Sequence, residues 1–179
     1  MTEVEIRVLT ADDVEAYWQC RLEALERDPA AFSSSVEDHL KLSRDEIRRR
    51  LTVDPTSNFV LGVFVDGKLL GTAGFVRETQ PKSRHKGRIW GVYLNTELRG
   101  QGIGRRLLQT VLERAGEVEG VEQILISVTS TQAAAVALYR SLGFVPWGHE
   151  ERALKIGDRY IDEEYMVLQL PPKAGPSSG

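Results

Sequence analysis

Glycines at 100, 102 and 104, with Arg99 before them and Arg105-Arg106 behind, form the segment "ELRGQGIGRR". Glycine at every second position lets backbone amides approach a ligand with no Cβ in the way. A helix is predicted to begin here, because Ile103, Leu107, Leu108, Val111, Leu112 and Ala115 recur on one helical face. Its first turn carries unpaired N–H groups, and its dipole adds partial positive charge. That combination suits a phosphate or diphosphate. The structural alternative is a glycine-rich turn with no ligand.

Spacing separates three phosphate motifs. A P-loop needs Gly-Lys-Ser/Thr, whereas Gly104 is followed by Arg-Arg-Leu. A dinucleotide fingerprint needs a third glycine where Arg105 stands, directly after a strand of a parallel unit. Here an antiparallel meander and "NTELR" precede the glycines. Arg-x-x-Gly-x-Gly remains, as Arg99, Gly102 and Gly104.

Other reactive groups are sparse. Cys20 stands alone in "VEAYWQCRLEAL", an amphipathic helix, and His39, His85 and His149 are remote from it in sequence. An inert, partly buried thiol is the expectation. No Cys/His pair has zinc-ligand spacing, so no metal is expected. The chain has 179 residues and a net charge of −3, with no apolar run of spanning length. These values point to one domain over residues 1–170 and favour neither nucleic acid nor a membrane as partner. A lone cysteine and no signal-peptide pattern suggest the cytoplasm. The tail "PPKAGPSSG", residues 171–179, is low in complexity and expected to be disordered.

The elements that must position the glycines follow from periodicity. "VEIRVLT" reads as a strand, and Asp12 or Asp13 can cap the next helix, whose apolar face is Val14, Tyr17, Trp18, Leu22 and Leu25. "RDPAAFSSS" reads as a polar loop, and Ser43 with Glu46 as a capping box. Asp66-Gly67 marks a hairpin, and "IWGVYLN" completes an antiparallel meander. "VEQILISVTS" reads as a strand that is central or covered on both faces, and "TQAAAVALYRSLG" as a helix ending at Gly143. "FVPWG" and "YIDEEYMVLQL" close the sheet. The basic stretch "KSRHKGR" lies about 23 Å from the glycines at about 3.3 Å per strand residue, which favours a solvated hairpin tip over a phosphate contact.

"VYLNTELRGQGIGRRLL" resembles the acetyl-CoA-binding motif of the GNAT superfamily of N-acetyltransferases, and "TQAAAVALYRSLGF" resembles its second motif. The order of elements matches over nearly the whole chain. The resemblance implies an α+β fold: a central, largely antiparallel mixed β-sheet of about seven strands flanked by about four helices. It implies acetyl-CoA as cosubstrate. The coenzyme A diphosphate would lie on the amides of Gln101, Gly102, Ile103, Gly104 and Arg105, with Arg99 and Gly100 shaping the loop. The pantetheine arm would pair with the backbone of Val92, Tyr93 and Leu94. Gln132 stands where many members carry Asn, and Tyr139 matches the tyrosine near the cofactor sulfur.

The implied chemistry is direct transfer in a ternary complex, with no acyl-enzyme. A primary amine has a pKa of about 10.4 and must lose a proton to attack the thioester. Backbone N–H groups of 92–94 would stabilise the oxyanion. Tyr139 is the expected general acid for the leaving thiolate. The base is open among Glu37, Glu78, His85, Asp162 and a water chain, since Arg88 occupies the position where relatives keep a carboxylate. The acceptor site is expected among the N-terminal helices, "AFSSS" and the last hairpin, with Trp90, Trp147 and Tyr160 as an aromatic wall. Three functions stay open: a small-molecule N-acetyltransferase, a protein N-terminal or lysine acetyltransferase, and a non-catalytic acyl-CoA sensor. The resemblance is also compatible with a homodimer.

Overall fold

A computed structural model describes residues 3–52 and 54–173. The elements are β1 (Val4–Val8), α1 (Val14–Arg27), α2 (Val36–Lys41), α3 (Arg44–Thr52), β2 (Asn58–Val65), β3 (Lys68–Arg77), β4 (Lys86–Leu94), α4 (Ile103–Glu117), β5 (Gln123–Thr129), α5 (Ala133–Ser141), β6 (Val145–Ile156) and β7 (Arg159–Gln169). All seven strands form one mixed sheet in the order β1-β2-β3-β4-β5-β7-β6. The expected α+β architecture is present. β1 to β4 form the antiparallel meander, and β4 with β5 is the parallel pair. Asp66 and Gly67 both have positive φ, 49° and 77°, as a two-residue hairpin turn requires.

The sheet is covered on both faces by helices. Phe59, Leu61 and Val63 of β2 pack into a core with Leu107, Leu108 and Val111 of α4. The alternate residues Val60 and Phe64 pack with Val14 and Tyr17 of α1 and with Ile47 and Leu51 of α3. Period-two alternation in β2 thus meets helical stripes on either side. Burying each such side chain stabilises the fold by about 1.5–3 kcal/mol.

Four local expectations change. α1 is preceded by a 3-10 turn, Ala11–Asp13, capped by Thr10; Asp13 instead folds back, accepting from Thr10 N at 2.8 Å and pairing with Arg7 at 2.8 Å. The segment after "AFSSS" forms the short helix α2, so the described residues hold five α-helices; a Ser35/Asp38 capping box starts it. β6 runs from Val145 through Ile156, well past "FVPWG". β5 is central, but its faces differ: Ile124, Ile126 and Val128 are buried while Ser127 is exposed. The Ser43/Glu46 box opens α3 as expected. Of the tail, Pro171–Lys173 have no regular structure, and 174–179 lie outside the described residues.

Candidate active site

Parallel pairing of β4 with β5 stops at Arg88↔Leu125. Beyond it the two strands diverge, and a cleft of about 680 Å³ opens between them. The cause is visible in β4. Gly91 has φ 61°, and the register against β3 slips between Thr72↔Tyr93 and Gly74↔Trp90. This bulge bends the strand, and Thr72 Oγ1 fixes it by donating to Gly91 O at 3.1 Å. Among the described residues, the β5-facing edge of β4 from Ile89 to Leu94 has no strand partner, so its main-chain groups, apart from the Leu94 carbonyl that Arg99 holds, are open to an extended ligand.

The glycine loop closes the cleft at the C-terminal end of β4. Asn95 caps a 3-10 turn, Thr96–Leu98, by accepting from Glu97 N at 3.0 Å. Gly100 and Gly102 then turn the chain with φ of 73° and 76°, and α4 begins at Ile103. Among the described residues, the N–H groups from Gly100 to Arg105 have no protein acceptor. Arg99 braces the loop: Nε donates to Leu94 O at 2.9 Å, and its guanidinium pairs with Asp28. Arg105 reaches Ser141 Oγ on α5 at 2.7 Å. Arg21, Arg88, Arg99 and Arg105 line the cleft against two carboxylates, Asp28 and Glu163, so its walls carry an excess of two positive charges (four minus two).

Most of the anticipated residues come together. Val92, Tyr93, Leu94, Arg99, Gly100, Gly102, Gly104, Arg105, Gln132 and Tyr139 all line the cleft. Gln101 and Ile103 belong to the same loop; Gln101 Nε2 donates to Glu97 O at 2.7 Å, and the Ile103 side chain is buried in the core. Gln132 occupies the N-cap position of α5. Tyr139 is 4% exposed, packs its ring near Phe144, and has no hydrogen-bond partner among the described residues. Burial pushes its pKa well above the ordinary tyrosine value, so the hydroxyl stays protonated.

The base and acceptor expectations are only partly met. Glu37 pairs with Lys41, Glu78 pairs with Arg88, Asp162 accepts from Arg152 N and sits beside His149, and His85 lies in the β3–β4 connection; none of the four lines the cleft. Trp90, Phe32, Ser33 and Ser34 do line it. Trp147 instead stands 5.5 Å from the Tyr165 ring on a separate groove, and Tyr160 is exposed beside Arg152 and Lys155, off the cleft. Cys20 is buried off the cleft, and burial pushes its pKa up to about 12, which leaves it unreactive.

Among the cleft residues that escaped the sequence reading are Arg21 and Glu163. Arg21 lies on the apolar stripe of α1, four residues after Tyr17, and a cation in that stripe is the signal that could have found it. Glu163 carries no comparable signal, because it stands between two other carboxylates, Asp162 and Glu164, and nothing local sets it apart. Among the described residues, no cluster of three or more His, Cys, Asp or Glu is arranged for a metal, and no helix is long and apolar enough to cross a membrane.

The chain is 32% identical over 107 residues to an L-methionine sulfoximine/L-methionine sulfone acetyltransferase of Pseudomonas aeruginosa, covering 59% of this chain and 61% of that protein. It is 29% identical over 147 residues to a mycothiol acetyltransferase of Paenarthrobacter aurescens, covering 80% of this chain and 43% of that one. The chain therefore matches less than two thirds of the length of these relatives. A putative acetyltransferase from Salmonella typhimurium, solved with its cofactor acetyl-CoA, has the same fold, with a TM-score of 0.80 at 24% identity over 99% of both chains. The model of the acetyltransferase (GNAT) family matches residues 17–144. With that match spanning the glycine loop, the divergent strands and α5, the chain belongs to the acetyltransferase (GNAT) family.

Proposed function

We propose that the protein is an N-acetyltransferase that moves the acetyl group of acetyl-CoA to the primary amine of a small molecule, directly in a ternary complex. The observation that carries this is one cleft holding unpaired loop amides, a free strand edge and Tyr139, whose ring is buried in the wall. The amides of Gln101 to Arg105 receive the diphosphate, and Arg105 adds charge beside it. Arg99 and Gly100 hold the loop in shape. Val92, Tyr93 and Leu94 offer backbone to the pantetheine amides, and Gln132 offers its side-chain amide from the start of α5.

Acetyl-CoA supplies an acyl carbon activated as a thioester. The neutral amine attacks that carbon, a C–N bond forms and the C–S bond breaks. The amine proton leaves to Glu163, directly or through water, because Asp28 is already tied to Arg99. Tyr139 donates toward the departing sulfur. Its raised pKa favours stabilising the thiolate by a hydrogen bond, with the final proton drawn from solvent.

The named relatives act on small molecules, which favours such an acceptor over a protein N-terminus or lysine. Residues 1–170 are proposed to work as one domain, with the cytoplasm as the expected compartment. A homodimer is proposed from the family resemblance; edge strand β6, with Val145 56% and Trp147 61% exposed, would lie in its interface. The test is release of free thiol from acetyl-CoA across a panel of amines. Amine-dependent release is expected. Slow release that ignores every amine and is unchanged in Tyr139→Phe would turn the assignment toward an acyl-CoA sensor.

A further inference from the structure

Arg21 presents a physical problem that transfer of an acetyl group does not explain. It is 9% exposed, and its Nη1 is buried with no hydrogen-bond partner. Among the described residues no carboxylate pairs with it. Such a charge destabilises the fold unless something compensates for it. Its surroundings compensate little: Phe32 lies 4.5 Å from the guanidinium carbon, and Arg50 adds a second positive charge nearby. Burial lowers the pKa of the guanidinium, yet an arginine remains charged at neutral pH. The third basic neighbour is spoken for. His39 faces Trp18 O at 2.9 Å, so Nε2 carries a proton there, and burial lowers the pKa of the ring.

The position of the guanidinium is fixed from two sides. Glu23, two residues along α1, accepts from Tyr93 Oη at 2.8 Å and from Asn95 Nδ2 at 2.6 Å, which locks α1 onto β4. Arg21 then hangs over the bulge of β4: a Cβ on Gly91 would stand 3.6 Å from Nη1. Gly91 lies about 10 Å down the strand from Leu94 and the glycine loop, so Arg21 is away from the diphosphate end. It lines the same cleft as Phe32, Ser33 and Trp90.

We propose that Arg21 receives a carboxylate of the acceptor, so that the amine substrate is a free α-amino acid or another small amino-carboxylate. This rests on the acetyltransferase reading. A guanidinium offers paired N–H donors that match a carboxylate, and here the pair forms away from bulk water, where it is strongest. Phe32 and Trp90 give the site an apolar wall for a side chain, and Ser33 and Ser34 border it. The anion neutralises Arg21 while the amine, held close by, faces the open edge of β4. A site of this kind rejects analogues that lack the anion, because they leave the buried donor unpaired.

The experiment compares L-methionine, L-leucine and L-phenylalanine with their carboxamides, in the wild type, R21Q and R21K. The carboxamides keep the primary amine and hold more of it neutral at pH 7, so intrinsic reactivity favours them. Expected in the wild type is a kcat/KM about 100-fold higher for an acid than for its amide. In R21Q that ratio falls to about three or less, the amide rate is kept, and calorimetric affinity for coenzyme A is unchanged. R21K retains part of the preference, and it serves if R21Q does not fold. Equal use of acid and amide by the wild type overturns the proposal. So does a parallel loss on both in R21Q, or a loss of coenzyme A affinity in R21Q. A second readout does not need turnover: quenching of tryptophan fluorescence by each acid with coenzyme A present. Binding to the wild type and not to R21Q upholds the anion site even if no thiol is released, in which case the acetyltransferase reading alone fails. No binding and no acid preference overturns the inference.

Discussion

Replacing Tyr139 by Phe keeps the ring in its core and removes one hydroxyl that has no partner among the described residues. Stability should therefore hold, while kcat falls about 100-fold with little change in KM for acetyl-CoA. Because burial raises the pKa of this group, the donating form persists as pH rises, and the wild-type rate should show no falling limb from Tyr139 up to about pH 10. A pH–rate profile with a melting curve for each variant checks both points. Glu163→Gln should lower kcat by about tenfold or more, with coenzyme A affinity intact by calorimetry. At this scale the motif residues were legible, because each lies in a short string of fixed spacing. The carboxylate was not: Glu163 reaches the cleft only through strand register across Thr129, which no local pattern reports. Arg21 was half visible, as a charge in an apolar stripe whose meaning depends on the missing partner.

Between elements, the glycine turn and the start of α1 each depend on one local device. At Gly102 a φ of 76° with open space around the Cβ position makes the cost of Gly102→Ala torsional, about 1–2 kcal/mol. Gly104 lacks a positive φ, and its Cβ would make only ordinary contacts at 3.7 Å with Leu138 and 3.8 Å with Leu94. Gly104→Ala should thus be neutral in a denaturant melt, with Gly102→Ala measurably weaker both in stability and in coenzyme A binding. The other device is Asp13, whose pKa the Arg7 guanidinium and then the Thr10 amide hold below the ordinary value. Its stabilisation is fully present above an unfolded pKa of about 3.9 and is lost as pH falls through the lower folded value. With Arg7 partly exposed, Asp13→Asn should cost only about 1 kcal/mol at pH 7, and the difference should shrink in melts below about pH 4. Most of this scale was legible from periodicity. α2 was hidden because it is only six residues long, and β6 because its exposed face is rich in charge.

For the whole molecule, function follows from a sheet that comes apart in one place. The bulge at Gly91 and the end of pairing at Arg88 separate β4 from β5, and the glycine loop and α5 close around the gap. The order of strands and helices was readable in sequence, while the divergence was not, since pairing between distant strands leaves no local mark. Calorimetric titration with coenzyme A tests the central claim most directly. The prediction is one site per chain with a dissociation constant in the micromolar range, about −8 kcal/mol, weakened by Gly102→Ala and unchanged in Tyr139→Phe. The absence of binding heat at about a hundred times that concentration, with an unmoved melting midpoint where bound ligand should add about 2.7 kcal/mol, would contradict the account.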